Sequence, residues 1–247
     1  MNALQLMTQP AEASGAAVAG RSPIARPVRA LRRPAAAARP APGTPLHRAI
    51  MAVDIESSTT RTNPVKAQLR STLYTLFAAA LEAAGIQRRH RDPFDDRGDG
   101  ILALIHPVDQ APKTLLMNRA VPDLARRLAA HNASLPVLLD PRLRLRLRVV
   151  LHAGEIHYDD NGCFGEALDI AFRLLDAAAV KKALAGSQAP LVLVVSSDIF
   201  RSLVCHGYEG IDEHAFAPHV RIRVAGHQHR GWLHTPACPA ADHDGMS

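Results

Sequence analysis

An α+β sandwich is the fold class this sequence predicts, and three observations predict it. Strand-length apolar runs and helix-length amphipathic runs follow one another in the order β-α-β-β-α-β, with further strand and helix segments behind them. Punctuating residues such as Asn63, Pro64 and Gly85 fall at the ends of those runs, where caps and turns need them. The chain has 247 residues, 47% of them hydrophobic, which is ample for a packed core.

Residues 49–55 (AIMAVDI) read as a buried strand closed by a polar cluster from Ser57 to Thr60. After Pro64, Leu69, Leu73, Leu76 and Phe77 recur at helical spacing, so a helix is predicted to Ala84 with Asn63 as its cap and Gly85 as its stop. Residues 86–91 and 101–105 are expected to form two strands of a hairpin, its bend near Asp99-Gly100. Residues 115–131 form a second helix, bent or begun at Pro122, because proline pushes the preceding Val121 out of helical geometry. The alternation of Arg and Leu over 142–148 predicts a half-buried strand, with Leu143, Leu145 and Leu147 on one face and four arginines on the other. A helix from Gly165 toward Leu184 follows, then a buried strand over 191–195, a short helix capped by Ser196 or Ser197, and an alternating strand over 220–224. The helices are expected on one face of the sheet.

Charge is unevenly spread. Residues 1–48 hold seven arginines and one acid and so account for the whole formal net charge of +6, while the remainder balances at 22 basic and 22 acidic residues. The pI of 9.7 is therefore a property of the N-terminal stretch and does not describe a nucleic-acid-binding surface on the folded part. Three parts are expected: an Ala/Pro/Arg-rich basic tail over 1–46, a folded domain over 47–236 and a flexible tail over 237–247. The first is too poor in large apolar residues to offset its ordering entropy, so disorder is expected there. Arg32 and Arg33 form a twin-arginine pair, but prolines interrupt the alanine run that would have to serve as an export segment. No run approaches the roughly 20 apolar residues of a membrane span. Three scattered cysteines, Cys163, Cys205 and Cys238, argue against a disulfide framework and for a reducing, cytoplasmic setting.

The chemistry-bearing residues cluster in three segments. Asp54 ends the first strand and Asp99 borders another, where carboxylates can converge on a divalent metal. The stretch from Gly162 to Leu174 (GCFGEALDIAFRL) sets a glycine turn and an arginine at one helix start, directly after the strand that ends His152-Ala-Gly-Glu155. Together they suggest metal-assisted phosphoryl chemistry. Taken singly, each aspartate reads first as a turn or cap residue, Asp54 after a strand and Asp99 in an Asp-Gly hairpin turn.

In their order and spacing, Asp54-Ile-Glu-Ser-Ser-Thr59, Arg97-Gly-Asp-Gly100, His152-Ala-Gly-Glu155 and Phe164-Gly-Glu-Ala-Leu-Asp-Ile-Ala-Phe-Arg-Leu174 resemble the class III nucleotidyl cyclases, over residues 47–236. The resemblance implies a ferredoxin-like βαββαβ core, a homodimer with shared sites, a nucleoside triphosphate substrate and Mg²⁺ or Mn²⁺. It makes Asp54 and Asp99 the metal-binding aspartates, with the carbonyl of Ile55 as a further ligand. It makes Arg173 the arginine that stabilises the pentavalent transition state, and it sets Asp169 where the family carries a ribose-positioning asparagine. Asp95 and Gly162 occupy the base-reading positions, with Cys163 one residue from a guanylyl-type cysteine and Gly165 in the adjoining turn. Arg230 is the candidate for the phosphate-gripping lysine, which this sequence lacks.

Two function classes follow. One is an enzyme that converts a nucleoside triphosphate to a 3′,5′-cyclic nucleotide and pyrophosphate. The other is a weakly active or inactive cyclase-homology module that binds nucleotide or a protein partner. Nucleic-acid binding through residues 88–91 and the arginines of 142–148 is not expected, because the domain is neutral and has few aromatics for stacking. His227, His229, His234, Cys238 and His243 fit no structural zinc spacing and read as a solvated loop.

Overall fold

The computed structural model describes residues 43–136 and 140–236. The basic stretch through residue 42 and residues 237–247, with Cys238 and His243, lie outside them. Strand β1 (Leu46–Ile55) is central, paired on both edges, and its residues from Arg48 to Val53 are all buried because both faces of the sheet are covered there. Helix α1 (Asn63–Ala83) buries Leu69, Leu73, Phe77 and Leu81 and stops at Gly85, whose positive φ of 88° suits the residue beyond a helix end. Its cap is the extended Thr62, so Asn63 lies inside the first turn beside Pro64.

The segment expected to be a strand over 86–91 is instead a 3₁₀ turn, Arg88–His90, and only Arg91 bridges Ile105. Pro93 lacks the donor a ladder needs, so pairing is delayed to the two-residue strand β2 (Asp95–Asp96) beside β3 (Gly100–Ile105). The second helix opens as a π-helical turn, Leu116–Ala120, and continues as α2 (Val121–Ala133) with Pro122 in its first turn. The alternating stretch over 142–148 is not one strand: α3 (Asp140–Leu143) takes its start and β4 (Leu147–Asp159) only its end. Alternation persists in burial, with Leu145 and Leu147 fully enclosed.

The β1-α1-β2-β3-α2-β4 order and the sheet order β2-β3-β1-β4 make a ferredoxin-like core, with β1 antiparallel to both β3 and β4. Strand β5 (Gly162–Phe164) folds back on the end of β4. The predicted long helix after Gly165 is two, α4 (Glu166–Leu175) and α5 (Ala178–Ala185), separated by Asp176 and the extended Ala177. Then β6 (Leu191–Ser196) runs parallel to β4, and Ser196 caps α6 (Ser197–Ser202). Strands β7 (Ala217–Val224) and β8 (His227–His234) complete the sheet. His227, His229 and His234, read as a solvated loop, thus belong to a strand, reached through a turn in which Ala225 and Gly226 both have positive φ.

Helices cover both faces, not one. Met51, Val53 and Ile55 point to α1 and α2, whereas Ile50 and Ala52 point to α4 and α5, as the two-residue period of β1 requires. Each large side chain so enclosed contributes about 1.5–3 kcal/mol. None of the helices among the described residues is long and apolar enough to cross a membrane.

Candidate active site

Asp54 and Asp99 reach one cavity by different routes. Asp54 is the penultimate residue of β1 and pairs in register with Gly100 on one side and Arg148 on the other. Asp99 sits in the tight turn from Arg97 to Gly100, closed by the Arg97 amide donating to the Gly100 carbonyl at 3.0 Å. Its own carbonyl accepts from the Ile55 amide at 3.1 Å, which ties the turn to the end of β1. Gly100 is required for that approach, since a Cβ there would lie 2.3 Å from the Val53 carbonyl oxygen. Both aspartates, with Ile55, line a cavity of about 710 Å³ that also takes in Ser58, Arg97, Arg148, Phe172 and Lys181.

Electrostatics in the cavity are dominated by cations held close to carboxylates. Arg148 forms an ion pair with Asp54, and each side chain is only 15% exposed. Burial lowers the Arg148 guanidinium from its usual range, and Asp176, 3.7 Å away, opposes that shift. The Nε of Arg148 is buried with no acceptor among the described residues. Lys181 on α5 pairs with the same Asp176 oxygen at 2.5 Å, a contact made possible by the break between α4 and α5. Asp99 accepts a 2.5 Å hydrogen bond from the Ser58 hydroxyl. Ser57, one residue earlier, holds a left-handed φ of 54°, the kind of local strain that concentrates at functional loops.

A second cluster borders the cavity through Arg97. Cys163 on β5 donates from Sγ to Asp95 at 3.6 Å, and Arg97 pairs with Asp95 at 2.9 Å while stacking 4.8 Å from the Phe172 ring. Burial and then the Asp95 charge push the Cys163 thiol up to about 11. Gly162 and Gly165 flank this cysteine, and Gly165, at φ 138°, lets the chain turn from β5 into α4 against the Glu155 carbonyl. Asp95 and Cys163, 68 residues apart in the chain, are thus brought together.

Asp169 and Arg173 lie elsewhere. One turn apart on α4, both are exposed, and neither side chain has a partner among the described residues. Arg230, exposed on β8, does not line the cavity. Two cavity cations, Arg148 and Lys181, were not singled out by the sequence reading. Arg146 and Arg148, expected on the unburied face of a half-buried strand, turn inward instead: Arg146 pairs with Glu56 at 3.2 Å. Among the described residues no group of three or more His, Cys, Asp or Glu side chains is placed to hold a metal ion.

A search of solved structures sets this architecture among cyclases. A crystal structure titled adenylate/guanylate cyclase/hydrolase from Silicibacter pomeroyi matches with a TM-score of 0.52 at 19% identity, covering 78% of this chain and 99% of that one. The chain has the class III cyclase fold. The crystal structure of the guanylyl cyclase Cya2 matches with a TM-score of 0.53 at 13% identity, covering 82% of this chain and 98% of that one. No protein-family model and no curated protein matches the sequence. Within the class III cyclase fold, the carboxylate cavity lies where β1 ends and β3 begins, beside α4 and α5.

Proposed function

We propose that the chain is a nucleotidyl cyclase, which turns a nucleoside triphosphate into a 3′,5′-cyclic nucleotide and pyrophosphate at the interface of two copies. The observation that supports this most is the meeting of Asp54, near the end of β1, and Asp99, in the turn that opens β3, in one cavity with Arg148 and Lys181.

The donor set fits Mg²⁺ or Mn²⁺. Two carboxylates and the Ile55 carbonyl are hard oxygen ligands of the number such ions take from protein when substrate phosphates complete their shell. When bound, the metal lowers the pKa of the attacking 3′-hydroxyl and neutralises charge on the phosphates. Arg148 and Lys181, both lining the cavity, bind the polyphosphate. Arg173, exposed and unpaired, serves the cavity of a second copy, where it stabilises charge on the phosphoryl oxygens as the hydroxyl attacks the α-phosphorus. Asp169, one turn earlier, faces the ribose in that same second cavity, and Arg230, which lies outside this chain's own cavity, reaches phosphates only as a contribution from the second copy. Asp95 and Cys163, framed by Gly162 and Gly165, meet the base edge.

Incubation with each of the four triphosphates and Mn²⁺ tests the reading: a cyclic product that disappears in Asp54→Ala is expected. A second reading, a nucleotide-binding module without turnover, is favoured by the carboxylate of Asp169 beside Arg173, which repels a polyphosphate. Metal-dependent nucleotide binding with no product from any triphosphate would select it.

A further inference from the structure

The segment that carries Asp95 is stapled to the β4–β5 hairpin twice. The inner contact is Asp95 with Cys163. The outer one is Asp92, whose Oδ2 accepts from the Tyr158 hydroxyl at 2.5 Å, and Tyr158 is the register partner of Cys163 across β4 and β5. Side chains of directly paired residues lie on the same face of a strand pair, so Tyr158 and Cys163 stand side by side, each holding one end of residues 92–95. Asp92 is itself fixed from two further elements. Arg48 on β1 approaches the same oxygen at 3.5 Å with its guanidinium 5.8 Å from the Tyr158 ring centre, and His106, just beyond β3, contacts Oδ1 at 2.8 Å. Pro93 stiffens the link between the two contacts, because it fixes its own φ and holds Asp92 extended.

We propose that Tyr158, acting through Asp92, is a positioning residue that sets the spacing between Asp95 and Cys163 and thereby the choice of nucleobase. The assignment rests on the reading of Asp95 and Cys163 as the groups that meet the base. Neither Tyr158 nor Asp92 lines the carboxylate cavity, so they act on selection and not on the phosphoryl chemistry. A hydroxyl donating to a partly enclosed carboxylate is a charge-assisted bond, and its loss leaves the other two donors to hold Asp92 in an altered position.

The test uses the full chain carrying Cys205→Ser and Cys238→Ser, so that Cys163 is the one thiol left. Tyr158→Phe keeps the ring beside Arg48 and removes only the donor. Two quantities are read: the rate of Cys163 alkylation by iodoacetamide, and kcat and KM for ATP and GTP with Mn²⁺. Loosening of the outer contact is expected to raise the alkylation rate about tenfold. It is expected to change the GTP-to-ATP ratio of kcat/KM by about as much, through KM, with kcat held within about twofold. Asp92→Asn, which keeps the shape and weakens all three contacts, moves both quantities the same way. An alkylation rate equal to the parent's in both variants overturns the proposal, as does a kcat loss without a change in the ratio. A parent that neither turns over nor binds any triphosphate refutes the cyclase reading instead, and the alkylation rates then decide alone whether Tyr158 sets the Asp95–Cys163 spacing.

Discussion

Arg148 and Asp54 face each other across the β4–β1 register and form an ion pair from which solvent is largely excluded. Breaking such a pair from one side strands the other charge. Arg148→Met is therefore expected to cost about 3 kcal/mol of stability, and a divalent cation to restore part of it by supplying positive charge beside Asp54. Thermal unfolding with and without Mn²⁺ checks this. A larger metal-induced shift in the variant than in the parent is the expected result, and equal shifts would mean that Asp54 does not meet the ion.

Arg173 suggests a complementation experiment. Asp54→Ala and Arg173→Ala chains, each inactive alone, are expected to recover cyclase activity when mixed, because a mixed dimer keeps one of its two sites whole. Random exchange at equal amounts predicts about a quarter of parental activity per chain for a two-fold dimer. A mixture as inactive as its components rules out the shared site.

Gly100 tests how closely β1 and β3 must approach beside Asp99. In Gly100→Ala the new carbon meets the Val53 carbonyl, a backbone atom with no rotamer to escape into, so the strands must part. A loss of about 3 kcal/mol in denaturant unfolding is expected, at the upper end of overpacking effects. Gly43→Ala, where the added carbon has open space but φ is 94°, should cost less.

His152 gives a pH dependence. It is buried on β4, its Nδ1 lies 2.8 Å from the Ser196 hydroxyl, and burial lowers its pKa to about 4. The unfolded chain, near 6.5, binds the proton first as pH falls. Its contribution is therefore complete above about pH 6.5 and lost progressively down to about 4, amounting to about 3 kcal/mol. Urea midpoints measured from pH 7.5 to 4.5 should fall in the parent and flatten in His152→Gln.

Much of the fold was legible because strand and helix periods are written in β1, α1, β3 and β6, whose apolar residues face packed neighbours. The misreadings have local causes. Residues 86–91 looked like a strand because Ile86 is apolar, yet Ile86 is buried beyond the end of α1 while a 3₁₀ turn follows it. The break at Asp176-Ala177 carries no glycine or proline, so nothing in composition marked it. β8 was missed because His227, Gln228, His229 and Arg230 lack the apolar alternation that signals a strand; the Ala225-Gly226 turn and the Trp232-Leu233 end were the available clues. At the site, Asp54 and Asp99 could be singled out by motif and the structure places both at one cavity. Arg148 could not, since an arginine alternating with leucines reads as exposed until strand register sets it opposite Asp54.

Asp176 straddles both cavity cations with a single oxygen, yet 70% of its side chain is open to water. It is a resident rival: any anion that wants Arg148 and Lys181 has to push this carboxylate aside. A monoanion offers no more charge than the occupant it would evict, whereas a triphosphate brings several. On the cyclase reading proposed above, the same residue would work as a threshold filter, disfavouring chloride or acetate against densely charged guests.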